Sequence, residues 1–264
     1  MDILKKNLAP LTDNAWEAIN KEAKQLFNSL LTARRFVDIN GPKGIDFAAV
    51  PVGKLDMPEN ITAKDVAYGI HKVMPLIELR IPFTLNIWEL DNLERGAKDI
   101  DLDSLGDAAR KLSKFEEETL YKGFEKACIK GLLNESAHDS MKYPKDLEDL
   151  PKVISEAMTK LSNSSVEGPY SLVVNNDKWQ KISGIHRGYP LKLQIESLLG
   201  GSIIRNAFID TPLLISERGG DFEMTIGQDI AIGYEHHDSK TVQLFFTESF
   251  TFRVLEDRAL VVFG

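Results

Sequence analysis

Ile77-Glu78-Leu79-Arg80-Ile81-Pro82-Phe83-Thr84-Leu85-Asn86-Ile87-Trp88 is the stretch that decides the fold class. Apolar Ile77, Leu79, Ile81, Phe83, Leu85 and Ile87 alternate with Glu78, Arg80, Pro82, Thr84, Asn86 and Trp88. A sustained period of two marks a strand with one face on a core. Pro82 has no N–H to give a ladder, which predicts an edge position or a bulge.

Helical patterns flank this strand. Before it, Thr12 is a good N-cap, and Trp16, Ile19, Ala23, Leu26, Phe27 and Leu30 recur at three- and four-residue spacing. An amphipathic helix is predicted from Asp13 to Ala33. Gly41-Pro42-Lys43-Gly44 reads as a turn, Asp46 to Pro58 as an extended arm or hairpin, and a short helix is expected after Thr62. Beyond the strand, a long helix is predicted from Asp103 to Lys130, with Gly131 as terminator. Glu116 falls on its apolar side and leaves the stripe imperfect. A further helix is predicted over Asp146 to Leu161, starting instead near Pro151 if that residue occupies the first turn.

The last hundred residues are rich in strand patterns: Tyr170 to Val174, Ile203 to Phe208, Leu213 to Ser216, Phe222 to Ile226, Val242 to Val254 and Ala259 to Phe263. Helices precede strands without regular alternation, so the fold class is α+β rather than a doubly wound sheet.

The chain has 264 residues, a net charge of −8 and one cysteine, Cys128. An internal disulfide is therefore excluded, and a reducing compartment is expected. The acidic balance argues against a nucleic-acid partner. No apolar run reaches transmembrane or signal-peptide length, so a cytoplasmic protein without a membrane partner is expected.

Catalytic chemistry is hard to assemble. The sequence carries no phosphate-binding Gly-rich loop before a helix, no Cys-x-x-Cys pair and no His-Glu-x-x-His. His236-His237-Asp238 reads as a solvated loop rather than a metal site, and Gly219-Gly220-Asp221-Phe222 as a turn entering a strand. Glu89, Asp91 and Glu94 are candidates for acid–base work, but Asn92 and Arg95 beside them favour an ion-pair network. No catalytic residue and no metal ligand is predicted, and the chain is expected not to be an enzyme.

Several segments in order resemble the encapsulin (linocin-type) family of nanocompartment shell proteins. They are Leu8-Ala9-Pro10-Leu11-Thr12 with Trp16, Arg34-Arg35-Phe36-Val37-Asp38, Pro75 to Arg80, and Trp88-Glu89-Leu90-Asp91-Asn92-Leu93-Glu94-Arg95-Gly96. Gly168 to Val173, Ser216 to Phe222, Gly227 to Tyr234 and Glu248 to Phe252 continue the series. The resemblance implies the Hong Kong 97-type phage capsid fold. Its parts would be an N-terminal helix and arm over 1–40, an extended loop region over 41–74, and a peripheral domain with a spine helix over 75–167. An axial domain over 168–208 and a return to the peripheral domain over 209–264 would complete it.

The resemblance further implies a self-assembling closed icosahedral shell of roughly 60 copies or a small multiple. Such a shell encloses a cargo enzyme, a ferritin-like protein or a dye-decolorising peroxidase, through a C-terminal targeting peptide on the cargo. Iron storage or protection from oxidative stress would be its purpose. Arg34, Asp38 and Ile232 match the peptide-docking positions. Ser183, Gly184, Ile185, His186 and Arg187 match the five-fold pore loop. Trp88, with Arg80 on the same strand face, matches a position where some relatives stack a flavin (FMN); no cofactor is required. The alternatives are a viral (prophage) major capsid protein of the same fold and, less favoured, a protease or bacteriocin.

Overall fold

A computed structural model describes residues 3–57, 66–186 and 189–264. Helix α1 (Asp13–Leu30) opens as predicted, with the Thr12 hydroxyl accepting from the Ala15 N–H at 3.2 Å. It ends at Leu30, three residues early, because Ala33–Arg35 tightens into a 3-10 turn. Strand β1 (Asp38–Asn40) follows. The arm is a hairpin of β2 (Ala49–Asp56) and β3 (Ile70–Pro75), antiparallel and mostly exposed. The helix expected after Thr62 begins on residues outside those described, and 66–69 carry no regular structure.

Strand β4 (Ile77–Asn86) is the deciding stretch. Its partner is β14 (Thr241–Val254), paired antiparallel from Ile77 opposite Phe250 to Asn86 opposite Thr241 with no register shift. Among the described residues β4 pairs with no other strand, so Pro82 sits on an edge strand and not in a bulge. The strand stops two residues before Trp88. The Asn86 side chain accepts the Trp88 N–H at 2.9 Å and caps helix α2 (Ile87–Glu94), which turns the alternation into a helix start.

Helix α3 (Asp103–Lys122) ends eight residues before the predicted Lys130. Gly123 takes φ +88 as its cap, and a Cβ there would meet the Ile129 carbonyl oxygen at 2.7 Å. The apolar pattern runs on through Phe124 and Ala127 because these residues pack from a small hairpin of β5 (Gly123–Phe124) and β6 (Ile129–Lys130). Helix α4 (Leu150–Asn163) starts where Pro151 allowed, with the proline in its first turn.

Strand β7 (Tyr170–Val174) leads through α5 (Asn176–Ser183), the hairpin β8 (Ile185–His186) and β9 (Tyr189–Pro190), and α6 (Leu191–Leu199) into β10 (Gly200–Arg205). This crossover lets β10 lie parallel to β7. With β11 (Leu213–Ser216) and β15 (Leu260–Val262) they form a four-stranded sheet in the order β10-β7-β11-β15. Every residue of β7 and β11 is buried.

The larger sheet runs β1-β12-β14-β13, with β4 also on β14, where β12 is Phe222–Ile226 and β13 is Ala231–His237. β14 is buried without a break from Leu244 to Phe252. Gly233 of β13 faces Phe245, where any Cβ would come within 2.1 Å of the ring. The apolar interior divides in two. The smaller core lies between α1, the first half of α3, β4, β13 and β14 and includes Ile19, Leu105, Leu112 and Phe246. The larger core surrounds the second sheet and takes Leu120 and Tyr121 from the last turn of α3. Between these halves, Ser113, Glu116, Glu117 and Thr119 form a polar seam.

Candidate functional site

Helix α1 and the segment 229–232 border a groove of about 590 Å³. Its floor is apolar: Ala23, Phe27, Leu31, Ile232 and Phe246. Phe27 meets Phe246 edge-on, with centroids 5.0 Å apart. The rim is polar: Asn20, Lys24 and Asn28 recur every four residues on α1, and Arg35 follows from the 3-10 turn.

Arg34 lines the same groove at its end but is not a free charge. It donates from Nε and Nη2 to the two Glu116 oxygens, each at 2.8 Å, and from Nη1 to Asp229 Oδ1 at 3.0 Å. Nη2 also donates to Glu248 Oε1. Glu116 and Glu248 are fully buried. Burial works against the guanidinium charge, yet the bonds and charges of Glu116, Glu248 and Asp229 prevail and hold its pKa above the ordinary arginine value. Burial, reinforced by the charge of Glu116 and only partly opposed by Arg34, holds the Glu248 carboxyl well above the usual range. Glu116, which broke the apolar stripe of α3, is thus the signature of a buried ion pair.

The next residue is handled differently. Glu117 accepts from the Thr32 hydroxyl at 2.7 Å, the Ala33 N–H at 2.9 Å and the Asn206 amide. Burial raises its pKa to about 7, against the opposing pull of the Ala33 and Thr32 bonds. This cluster joins the end of α1, α3 and the segment after β10.

The docking positions read from the sequence divide. Arg34 and Ile232 both line the groove; Asp38 is not among its lining residues. Asp38 lies at the start of β1, where its carboxylate accepts the Gly220 N–H at 2.6 Å and braces the Gly219-Gly220 turn. Reading by segment missed Lys24, Arg35 and Asp229; the four-residue spacing from Asn20 to Asn28 was the available signal for Lys24.

At the other predicted sites, Ser183 closes α5 with its Oγ buried and without a partner, and the exposed Gly184 caps the helix. Ile185 and His186 pair through their backbones with Pro190 and Tyr189. Arg187 lies outside the described residues. The shared strand face expected of Trp88 and Arg80 is not found. Trp88 is 70% exposed in the first turn of α2, while the Arg80 guanidinium lies over the Phe245 ring at 4.0 Å from its centroid. Trp88 belongs to the helix and Arg80 to the strand before it, so the alternation does not carry through to Trp88.

The acidic cluster proves structural. Glu89 accepts from the Asn92 amide and the Asp101 N–H, Glu94 accepts from Thr12 and Asn14, and Arg95 bonds Asn92 at 2.7 Å. His236 and His237 belong to the exposed end of β13 rather than to a loop, and His237 Nδ1 lies 2.7 Å from the Tyr234 hydroxyl. Among the described residues no group of His, Cys, Asp and Glu is disposed to hold a metal, and no helix is long and apolar enough to cross a membrane.

A sheet braced by a long helix, a second sheet with its own crossover helices and a projecting hairpin are the elements of a capsid shell fold. Solved structures agree. The virus-like particle from Pyrococcus furiosus matches with a TM-score of 0.69 at 19% identity, covering 94% of this chain and 98% of that one. The capsid of Myoviridae phage XM1 matches with a TM-score of 0.56 at 13% identity, over 88% and 91% of the two chains.

The family follows from sequence. The family model described as "Encapsulating protein for peroxidase" matches residues 1–251. The type 1 encapsulin shell protein of Rhodococcus erythropolis is 39% identical, over 99% of each chain. That of Mycobacterium tuberculosis is 38% identical, over 96% of this chain and 95% of its own. The chain belongs to the type 1 encapsulin shell protein family. Its relatives are named as shell components rather than enzymes, in agreement with the lack of a catalytic set in the sequence.

Proposed function

We propose that this chain is the repeating subunit of a closed icosahedral shell of roughly 60 copies or a small multiple. The groove between α1 and residues 229–232 docks the C-terminal targeting peptide of an enclosed enzyme. A ferritin-like protein or a dye-decolorising peroxidase is the cargo, for iron storage or protection from oxidative stress. The supporting observation is the groove itself: an apolar floor under a hydrophilic rim, with a volume of about 590 Å³. Small apolar pockets suit short aliphatic side chains, and the rim keeps an extended backbone hydrated. One such contact is weak; a multimeric cargo engaging several subunits gains by avidity, by a factor on the order of 100 or more.

A phage capsid role is less well supported, because the phage likeness is confined to low identity while the encapsulin likeness spans the chain. The test is to purify the particles, identify co-purifying proteins by mass spectrometry, and repeat with Asn20→Trp. That substitution fills the groove from an exposed helix position. Cargo per particle should fall at least tenfold while particles still form. Unchanged loading would place the docking site elsewhere.

A further inference from the structure

The groove contains charges of both signs, but they are not equally available. Arg34 is largely engaged: four of its five N–H donors serve Glu116, Glu248 and Asp229. Asp229, the groove's acidic side chain, gives Oδ1 to Arg34 and to the Ile230 N–H at 2.8 Å. Lys6 rests over the Trp16 ring, 5.5 Å from its centroid. Lys24 and Arg35 remain, both exposed on the rim. They stand over Ala23, Phe27 and Ile232, which offer nothing polar.

We propose that the groove selects an acidic cargo segment. Aliphatic side chains cover the floor, and acidic side chains pair with Lys24 and Arg35. Arg34 is a positioning residue that ties up Asp229 Oδ1 and the buried Glu116 and Glu248, which leaves Lys24 and Arg35 as the exposed charges over the apolar floor. Rim charges act through attraction at high dielectric, so they set which peptide is chosen more than how tightly it is held. The inference rests on the docking role proposed above for the same groove.

The test opens purified particles, lets them reclose with ten-residue peptides composed of Gly, Ser, Leu and Ile, and measures the peptide retained inside. Each permutation is presented with two Asp, with two Lys or with no charge, and with a free or an amidated C-terminus. The Asp set should be retained at least fivefold over the Lys set at low salt, with amidation changing retention less than twofold. Lys24→Glu with Arg35→Glu, both at exposed positions, should reverse the order. Equal retention of the Asp and Lys sets, or preference for Lys, would overturn the acidic rule while leaving docking intact if Asn20→Trp still abolishes retention. A preference carried by the free terminus alone would move the recognised carboxylate to the chain end and overturn the side-chain assignment. No retention of any set, or retention indifferent to Asn20→Trp, would overturn the docking reading and this inference with it.

Discussion

Glu116 and Glu117 are neighbours on one helix, both buried, and the protein neutralises them in opposite ways. Glu116 lies under the groove, bidentate on a guanidinium that also holds Glu248 and Asp229. Glu117 lies on the far side of the seam, held by a hydroxyl, a backbone N–H and an amide, with no cation among them. A paired charge in a dry site depends wholly on its partner, because removing one ion strands the other. A carboxylate held by neutral donors can instead take a proton, so its stability is written in pH. The groove floor is thus fixed by charge and the junction behind it by protonation.

The largest effect is expected of Arg34→Ala. It strands the buried Glu116 carboxylate, leaves Glu248 without its donor, and should cost about 3–5 kcal/mol in urea unfolding. Replacing the set together, Arg34→Met with Glu116→Leu and Glu248→Leu, should recover most of that loss, since apolar packing replaces buried ions at little net cost. A loss for the triple variant as large as for Arg34→Ala would show that the cost is not one of stranded charge.

Next in size is the pH response of Glu117. Its folded pKa, about 7, lies above the ordinary 4.5. The stability it contributes is fully present below pH 4.5 and is lost as the pH rises through 7. At about 1.4 kcal/mol per pH unit, the window is worth roughly 3 kcal/mol. Glu117→Gln should lessen the fall of stability between pH 4.5 and 7.5, the remaining slope belonging to Glu248. A variant that keeps the parent slope would assign the titration to another group.

The smallest effect belongs to Thr32→Val. Thr32 donates to Glu117 and accepts the Asn206 amide at 2.8 Å. Losing the hydroxyl should cost about 1 kcal/mol and leave the Arg34 cluster untouched. A loss as large as that of Arg34→Ala would mean that the two clusters are a single network.

Much of this architecture was legible in the sequence. The Thr12 cap, the strand through Pro82 and the bounds of β7, β11 and β12 follow from residue pattern alone, while the choice between edge and bulge at Pro82 needed the pairing. The failures have physical causes. At Lys122 the helix stops because Gly123 turns left-handed and packs against the backbone of 129–131, a tertiary constraint that no periodicity carries. Trp88 continued the alternation by residue type although Asn86 had already begun a helix. α5 and α6 are too short for periodicity to declare. In the site, Glu116 announced itself as a charge on an apolar stripe. Its partners did not, since Asp229 and Glu248 meet Arg34 across 195 and 214 residues of chain. Only the strand register brings them there.

Every role proposed for this chain depends on assembly, which electron microscopy of the purified protein reads out. Uniform, hollow, closed particles of roughly 60 subunits or a small multiple, with icosahedral symmetry, are expected. Monomers or small oligomers across a range of salt concentrations would contradict it.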